Sequence, residues 1–278
     1  MSVDTIDLLT GHVFLVTWDT GRRCNYDCSY CPMHRHDNFS AHATLDSLKE
    51  NVDFLYEYID LHLGYRTSKI ANIGFTGGEP TVNPNFIPFA KYLRTEYNEK
   101  YKDKWTCGFA LTTNGAMGVK MGQAVMQNFD HATVSYHSES NQKLKQQVKD
   151  RILEFHYQGS DHNFTVSCKV MFHADYFDEC RELCEFLDSH GVNYVPRVIG
   201  EEPDSRPTFA HKYNDEQLQW MKDYWKRKNE KKNDEQEVTK VLSAVGKKTT
   251  EKKKLGQNIG RPCCGSRDML LHLSLIHI

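Results

Sequence analysis

Apolar positions along this chain follow two alternating spacings. Short β-branched and aromatic runs give way to longer stretches in which apolar residues recur every three or four positions. HVFLVTW, from His12, is the first strand-type run; KIANIGFT, WTCGFALTT, HATVSYH, NFTVSCKVMFH and VNYVPRVIG follow it. After the first run, TLDSLKENVDFLYEYIDLHLG carries Leu45, Leu48, Val52, Leu55 and Ile59 at helical spacing, with Thr44 as the expected N-cap and Gly64 just past the end. Further helices are expected over about Asn85–Lys100, Ser140–Tyr157 and Asp175–His190, the last ending at Gly191. Strand–helix units joined by short connections imply a parallel sheet, because parallel neighbours need crossover helices. Six units fall short of an eight-stranded TIM barrel, and pattern alone does not decide whether the sheet closes.

The pattern changes near Glu201. EEPDSRP is a turn-rich linker, and His211–Leu255 is dominated by Lys, Glu, Asp, Asn and Gln, with KRKNEKKNDEQE and KKTTEKKK as charge runs. Trp220, Tyr224, Val238, Leu242 and Val245 mark weakly amphipathic helices within it. Acidic residues interleave the first charge run, which fits a solvated connector better than a nucleic-acid patch. The expected organisation is an α/β domain over 1–200, a charged helical C-terminal connector over 201–260, a short cysteine-bearing segment over 261–272, and LSLIHI at 273–278. LSLIHI matches the translation of a transposon-end adapter used in DNA library preparation. It is read as a sequencing scar, so the natural protein is expected to continue past His272.

Net charge is −2, so bulk electrostatics select neither nucleic acid nor an anionic membrane as partner. MSVDTIDLLTGHVF lacks the basic and long apolar regions of a secretory signal, and no apolar run is long enough to span a bilayer. The chain has nine cysteines, an odd number, in a length well beyond a disulfide-stapled miniprotein. The expectation is a cytoplasmic protein whose cysteines serve as ligands or core residues.

Chemistry concentrates in GRRCNYDCSYCPMHRHD, directly after the first strand-type run. Cys24, Cys28 and Cys31, spaced C-x3-C-x2-C, can bring three soft thiolates to one iron–sulfur cluster. The loop alone also allows a zinc site, with Cys28 and Cys31 joined by His34 or His36, and then the chain would be a non-catalytic binding module. Gly77-Gly78-Glu79-Pro80 follows the second strand, where glycines permit close backbone approach and Glu79 can pair with an ammonium group. Strand ends nominate further residues, since ligands of parallel α/β barrels meet the C-terminal ends of strands: Thr113 and Asn114 on the third, Ser135 and His137 on the fourth, Lys169, Met171 and His173 on the fifth, Arg197 on the sixth. Cys107 and Cys168 lie in apolar strands, and Cys180 and Cys184 share a helical stripe with Phe177 and Leu187, so these four are expected in the core. His34, His36 and His42 are expected as exposed loop histidines.

The cysteine loop, with Tyr30 before its third cysteine, together with the GGEP turn after the second strand, resembles the radical S-adenosylmethionine (SAM) superfamily. That resemblance implies a partial (βα)6 TIM-type barrel. It implies a [4Fe–4S] cluster on Cys24, Cys28 and Cys31 whose fourth iron binds SAM. Tyr30 would contact the adenine region, Gly77, Gly78 and Glu79 the methionyl amino end, and Ser135 the SAM carboxylate; Thr113, Asn114 and Arg197 would also line the cofactor site. A flavodoxin- or ferredoxin-type donor would supply the electron. Cys263-Cys264-Gly265 resembles the opening of a SPASM or twitch extension, which holds an auxiliary cluster, and that would make a peptide or protein the substrate. A nucleotide-derived or other small molecule is the alternative within the class.

Overall fold

The computed structural model describes residues 14–31, 36–63, 70–199 and 213–228. The chain divides into two units, Met1–Ala210 with Met269–Ile278, and His211–Asp268. In the first unit, β1 (Phe14–Asp19), β2 (Ile70–Thr76), β3 (Thr106–Thr113), β4 (His131–His137), β5 (Thr165–Phe172) and β6 (Tyr194–Val198) form one sheet in sequence order, every neighbouring pair parallel. β1 and β6 are its edges, so the sheet is the open, partial TIM-type barrel expected. All six C-terminal strand ends lie at one rim.

The crossovers run through α1 (Leu45–Leu63), α2 (Phe86–Tyr92), α3 (Val119–Asn128), α4 (Gln142–Gln158) and α5 (Phe177–Ser189). Thr44 caps α1, its hydroxyl accepting from Ser47 N at 3.2 Å. α2 runs without a break through a wide π-helical stretch, Leu93–Tyr97, into Asn98–Tyr101. α3 is a helix that the hydrophobic pattern did not single out. Gly122 sits inside it at a helix-weakening position, because a β-carbon there would fall 2.1 Å from Arg151 Nη1 on α4.

Alternate strand residues face the helices and build the core. Phe75 meets Trp18, Phe89, Phe109 and Phe129 at ring-centroid distances of 5.4–6.4 Å. The expected core cysteines divide: Cys168, Cys180 and Cys184 are buried, whereas Cys107 is partly exposed. The opposite sheet face is different in kind. Asn72 and Gly74 on β2, Gly108 and Ala110 on β3, His131 and Thr133 on β4, and Ser167 and Lys169 on β5 alternate with the buried residues. A closed barrel fills such positions with branched aliphatic side chains; these positions of β2–β5 hold small or polar ones.

In the second unit, residues 215–228 form a helix, α6. Asn214 and Gln217 cap it reciprocally: Gln217 N donates to Asn214 Oδ1 at 2.9 Å, and Asn214 N to Gln217 Oε1 at 3.0 Å. Trp220 stacks on Tyr224 at 5.6 Å. Among the described residues no helix is long and apolar enough to cross a membrane.

Candidate functional site

The loop after β1 is held to the rim by backbone bonds. Cys24 N donates to Asp37 O at 2.7 Å and Asp37 N to Arg22 O at 2.9 Å, closing the loop on itself. The GGEP turn then docks against it, Gly78 N donating to Gly21 O at 2.7 Å and Glu79 N to Arg23 O at 2.8 Å. Both glycines are required by this approach. A β-carbon on Gly77, whose φ is +133°, would lie 2.5 Å from Gly21 O, and one on Gly78 2.3 Å from Arg22 O. The close approach that these glycines permit is therefore to the cysteine loop.

A second clamp fixes the loop's far end to β4 and β5. Ser29 N and Oγ donate to the two oxygens of Glu139 at 2.9 and 2.5 Å, and His173 Nε2 lies 3.4 Å from Glu139 Oε1. Tyr30 OH is 2.5 Å from His137 Nδ1, with the two rings stacked at 5.9 Å. Cys28 Sγ lies 3.4 Å from the same nitrogen, and the Tyr26 ring meets His137 edge-on at 5.7 Å. Burial holds His137 neutral, its pKa lowered to about 4.

Between the loops and the strand ends lies a cavity of about 320 Å³, within the range of small-molecule sites. Cys24, Cys28 and Cys31 all line it, as do Tyr30, Gly77, Gly78, Thr113, Asn114 and Ser135. The fold thus gathers most of the residues nominated from sequence on one wall. The nominated His137 and Met171 line it too, and the fold adds Tyr26, His36, Thr76 and Thr112. His36 corrects the expectation of an exposed loop histidine: it is 7% exposed and sits 3.2 Å from Asp27 Oδ1. His42 is half-buried, and His34 lies outside the described residues.

Four nominated residues, Glu79, Lys169, His173 and Arg197, do not line the cavity. Glu79 is buried behind it. Its Oε1 accepts from Thr81 N (3.1 Å), Thr81 Oγ1 (2.6 Å) and Thr113 Oγ1 (2.7 Å), and its Oε2 from Asn114 N (2.6 Å). Burial works against its charge and raises its pKa, while those donors oppose the rise. Arg197 is exposed at the mouth beside the wall residue Val198. Cys263 and Cys264 lie outside the described residues.

The donor set suits a cluster. Burial is the main cause raising the Cys24 and Cys28 thiol pKa values, a cost that bound iron offsets by favouring the thiolate. Cys24, Cys28 and Cys31 are all free of disulfides. Three thiols lining one cavity suit an iron–sulfur core, in which each could bind a different iron. Among the described residues, Tyr26 OH and His36 Nδ1 are buried on the same cavity without a hydrogen-bond partner, as expected where a bound group completes the site.

Comparison with known proteins places this arrangement. No curated protein matches the sequence. Similar solved structures include native anSMEcpe with bound AdoMet and Cp18Cys peptide, at 14% identity and a TM-score of 0.55 over 80% of this chain and 62% of that one. Native anSMEcpe with bound AdoMet matches at 13% identity and a TM-score of 0.51, over 70% of this chain and 56% of that one. The chain therefore spans less than two thirds of the length of these structures, and at such identities the likeness concerns the fold. The model of the Radical SAM superfamily matches residues 18–187, from the end of β1 into α5 and across both docked loops. This chain belongs to the Radical SAM superfamily, a family of SAM-dependent iron–sulfur enzymes.

Proposed function

We propose that the chain binds a [4Fe–4S] cluster through Cys24, Cys28 and Cys31 and cleaves SAM reductively, using the resulting 5′-deoxyadenosyl radical to remove a hydrogen atom from a peptide or protein. The observation that carries the reading is the single cavity shared by three free thiols, the GGEP backbone and the ends of β3 and β4. When bound, the cluster supplies one electron, delivered by a flavodoxin- or ferredoxin-type donor, that splits the sulfonium C–S bond into methionine and the radical. The chain's own residues bind and orient. Ser135, whose hydroxyl has no protein partner among the described residues, offers a donor to the methionyl carboxylate. Gly77 and Gly78 offer backbone groups to its amino end. Tyr30 contributes the rim beside the adenine region, fixed there by His137. Glu79 acts as a positioning residue, holding the Thr113 hydroxyl and the Asn114 amide in the wall.

Support for a peptide substrate is the fold shared with anSMEcpe, which was solved with a bound peptide. The test is anaerobic reconstitution with ferrous iron and sulfide, reduction by dithionite, and detection of 5′-deoxyadenosine by mass spectrometry. Wild-type protein should release it, and Cys31→Ala should not. Equal release by both would overturn the ligand assignment. Deuterium passing into 5′-deoxyadenosine from a deuterated peptide digest supports the substrate class; transfer only from deuterated nucleotides would move it to a small molecule.

A further inference from the structure

On the inner sheet face, β5 and β6 carry two cations, one below the cofactor cavity and one beside its mouth. Lys169 pairs in register with Ser135 across β4–β5, one inward-facing step below Met171. Ser135 and Met171 both line the cavity, and Lys169 does not. Arg197 pairs in register with Met171 across β5–β6, which puts it on the same face nearer the mouth. Among the described residues neither cation has an ion pair or a hydrogen bond to an acidic group. Lys169 is half-buried, and its pKa is lowered first by that burial and then by the charge of Arg197. Further down the same face, His131 meets three hydroxyls: Nδ1 lies 2.9 Å from Thr165 Oγ1, and Nε2 lies 3.0 Å from Ser167 Oγ and 3.3 Å from Thr133 Oγ1. Burial, then the Lys169 charge, keeps this histidine neutral.

The two cations do not serve stability. A half-buried ammonium without a partner is unfavourable, and a second positive charge close by makes it more so. The surrounding inner-face residues, Asn72, Gly74, Gly108, Ala110 and Thr133, are small or uncharged polar groups. A pair of cations beside them, adjoining the place where a radical would form, is matched by an oxyanion entering from outside.

We propose that Lys169 and Arg197 form an oxyanion subsite that binds a carboxylate or phosphate of the substrate and thereby sets which of its hydrogen atoms faces the cofactor cavity. The role as a substrate subsite rests on the radical SAM reading above. Anion binding itself is a property of the cluster-free chain and is testable without that reading.

The experiment uses the full chain. Lys169 is labelled with trinitrobenzenesulfonate in the cluster-free protein, with and without inorganic phosphate or malonate, and its modification is read by mass spectrometry. Saturable protection by phosphate, malonate or both is expected, and the stronger of the two identifies the group. Arg197→Met should weaken protection about tenfold, the usual effect of losing one charge-assisted contact. Lys169→Arg should retain anion binding in direct titration and Lys169→Met should lose it; melting curves report folding, and if Lys169→Met does not fold, the wild-type and Arg197→Met labelling decides. No protection by either anion overturns the subsite. It is also overturned if Lys169→Met weakens SAM binding to the reconstituted protein tenfold while phosphate and malonate binding is unchanged, because the lysine would then serve the cofactor. 5′-Deoxyadenosine release without anion protection rejects the subsite and leaves the proposed function standing; protection without release does the reverse.

Discussion

Gly78→Ala places a methyl group where the cysteine loop and the GGEP turn touch. The new β-carbon would lie 2.3 Å from Arg22 O and 2.4 Å from Arg23 O, roughly 1 Å inside van der Waals contact. Neither obstacle is a flexible side chain. Arg22 O accepts from Asp37 N at 2.9 Å and Arg23 O from Glu79 N at 2.8 Å, so both carbonyls are fixed by the loops themselves. Relief requires the loops to part, breaking Gly78 N–Gly21 O and Glu79 N–Arg23 O at about 1 kcal/mol each. Residual overpacking adds about 1 kcal/mol, giving a loss of about 3 kcal/mol. Gly74→Ala is the control, because its β-carbon would meet only Val16 O, at an ordinary 3.6 Å. Urea unfolding of the cluster-free proteins and iron content after reconstitution report the two consequences. Gly78→Ala should lose about 3 kcal/mol or, if the loops part without global unfolding, most of its iron; Gly74→Ala should do neither. A Gly78→Ala protein within about 0.5 kcal/mol of wild type that also retains full iron would refute the reasoning that these loops are docked backbone to backbone.

Glu139→Gln keeps one acceptor for the two Ser29 donors, and the loss of about 1 kcal/mol should speed iron release to a chelator about fivefold; unchanged release would remove Glu139 from the account. Lys145 is buried with Nζ 2.6 Å from Glu179 Oε2, and Tyr136 OH donates to Glu179 Oε1 at 2.5 Å. Lys145→Met should cost about 2 kcal/mol in urea unfolding, less than for a fully buried pair because Glu179 is 25% exposed. The folded-state pKa of His131 lies below its ordinary 6.5, so its contribution to stability is present above that pH and is lost as pH falls through it toward the folded value. His131→Asn should flatten that part of the stability–pH curve, and an unchanged slope would show that another group titrates there.

The sequence carried most of what is chain-local. The C-x3-C-x2-C loop, the GGEP turn and the six strands are contiguous patterns, and each stands at the expected place in the sheet. What escaped depends on contacts between distant segments. Glu139 grips Ser29 and His137 grips Tyr30 across more than a hundred residues, so neither role has a local signature. α3 was obscured by Gly122, whose reason is the Arg151 side chain of another helix. His36 looked like an exposed histidine in a polar loop, yet that loop folds over the cavity and buries it. For Glu79 the sequence signalled a carboxylate near a ligand. Its direction, toward Thr81, Thr113 and Asn114, is set by the third strand.

The central claim is that three thiolates hold a cluster and leave one iron open to SAM. Mössbauer spectroscopy of the anaerobically reconstituted, iron-57-labelled chain, with and without SAM, tests it most directly. The account predicts about four irons per chain, with SAM shifting the signal of one iron and leaving the other three nearly unchanged. A metal content of about one zinc, or a four-iron spectrum indifferent to SAM, would contradict it.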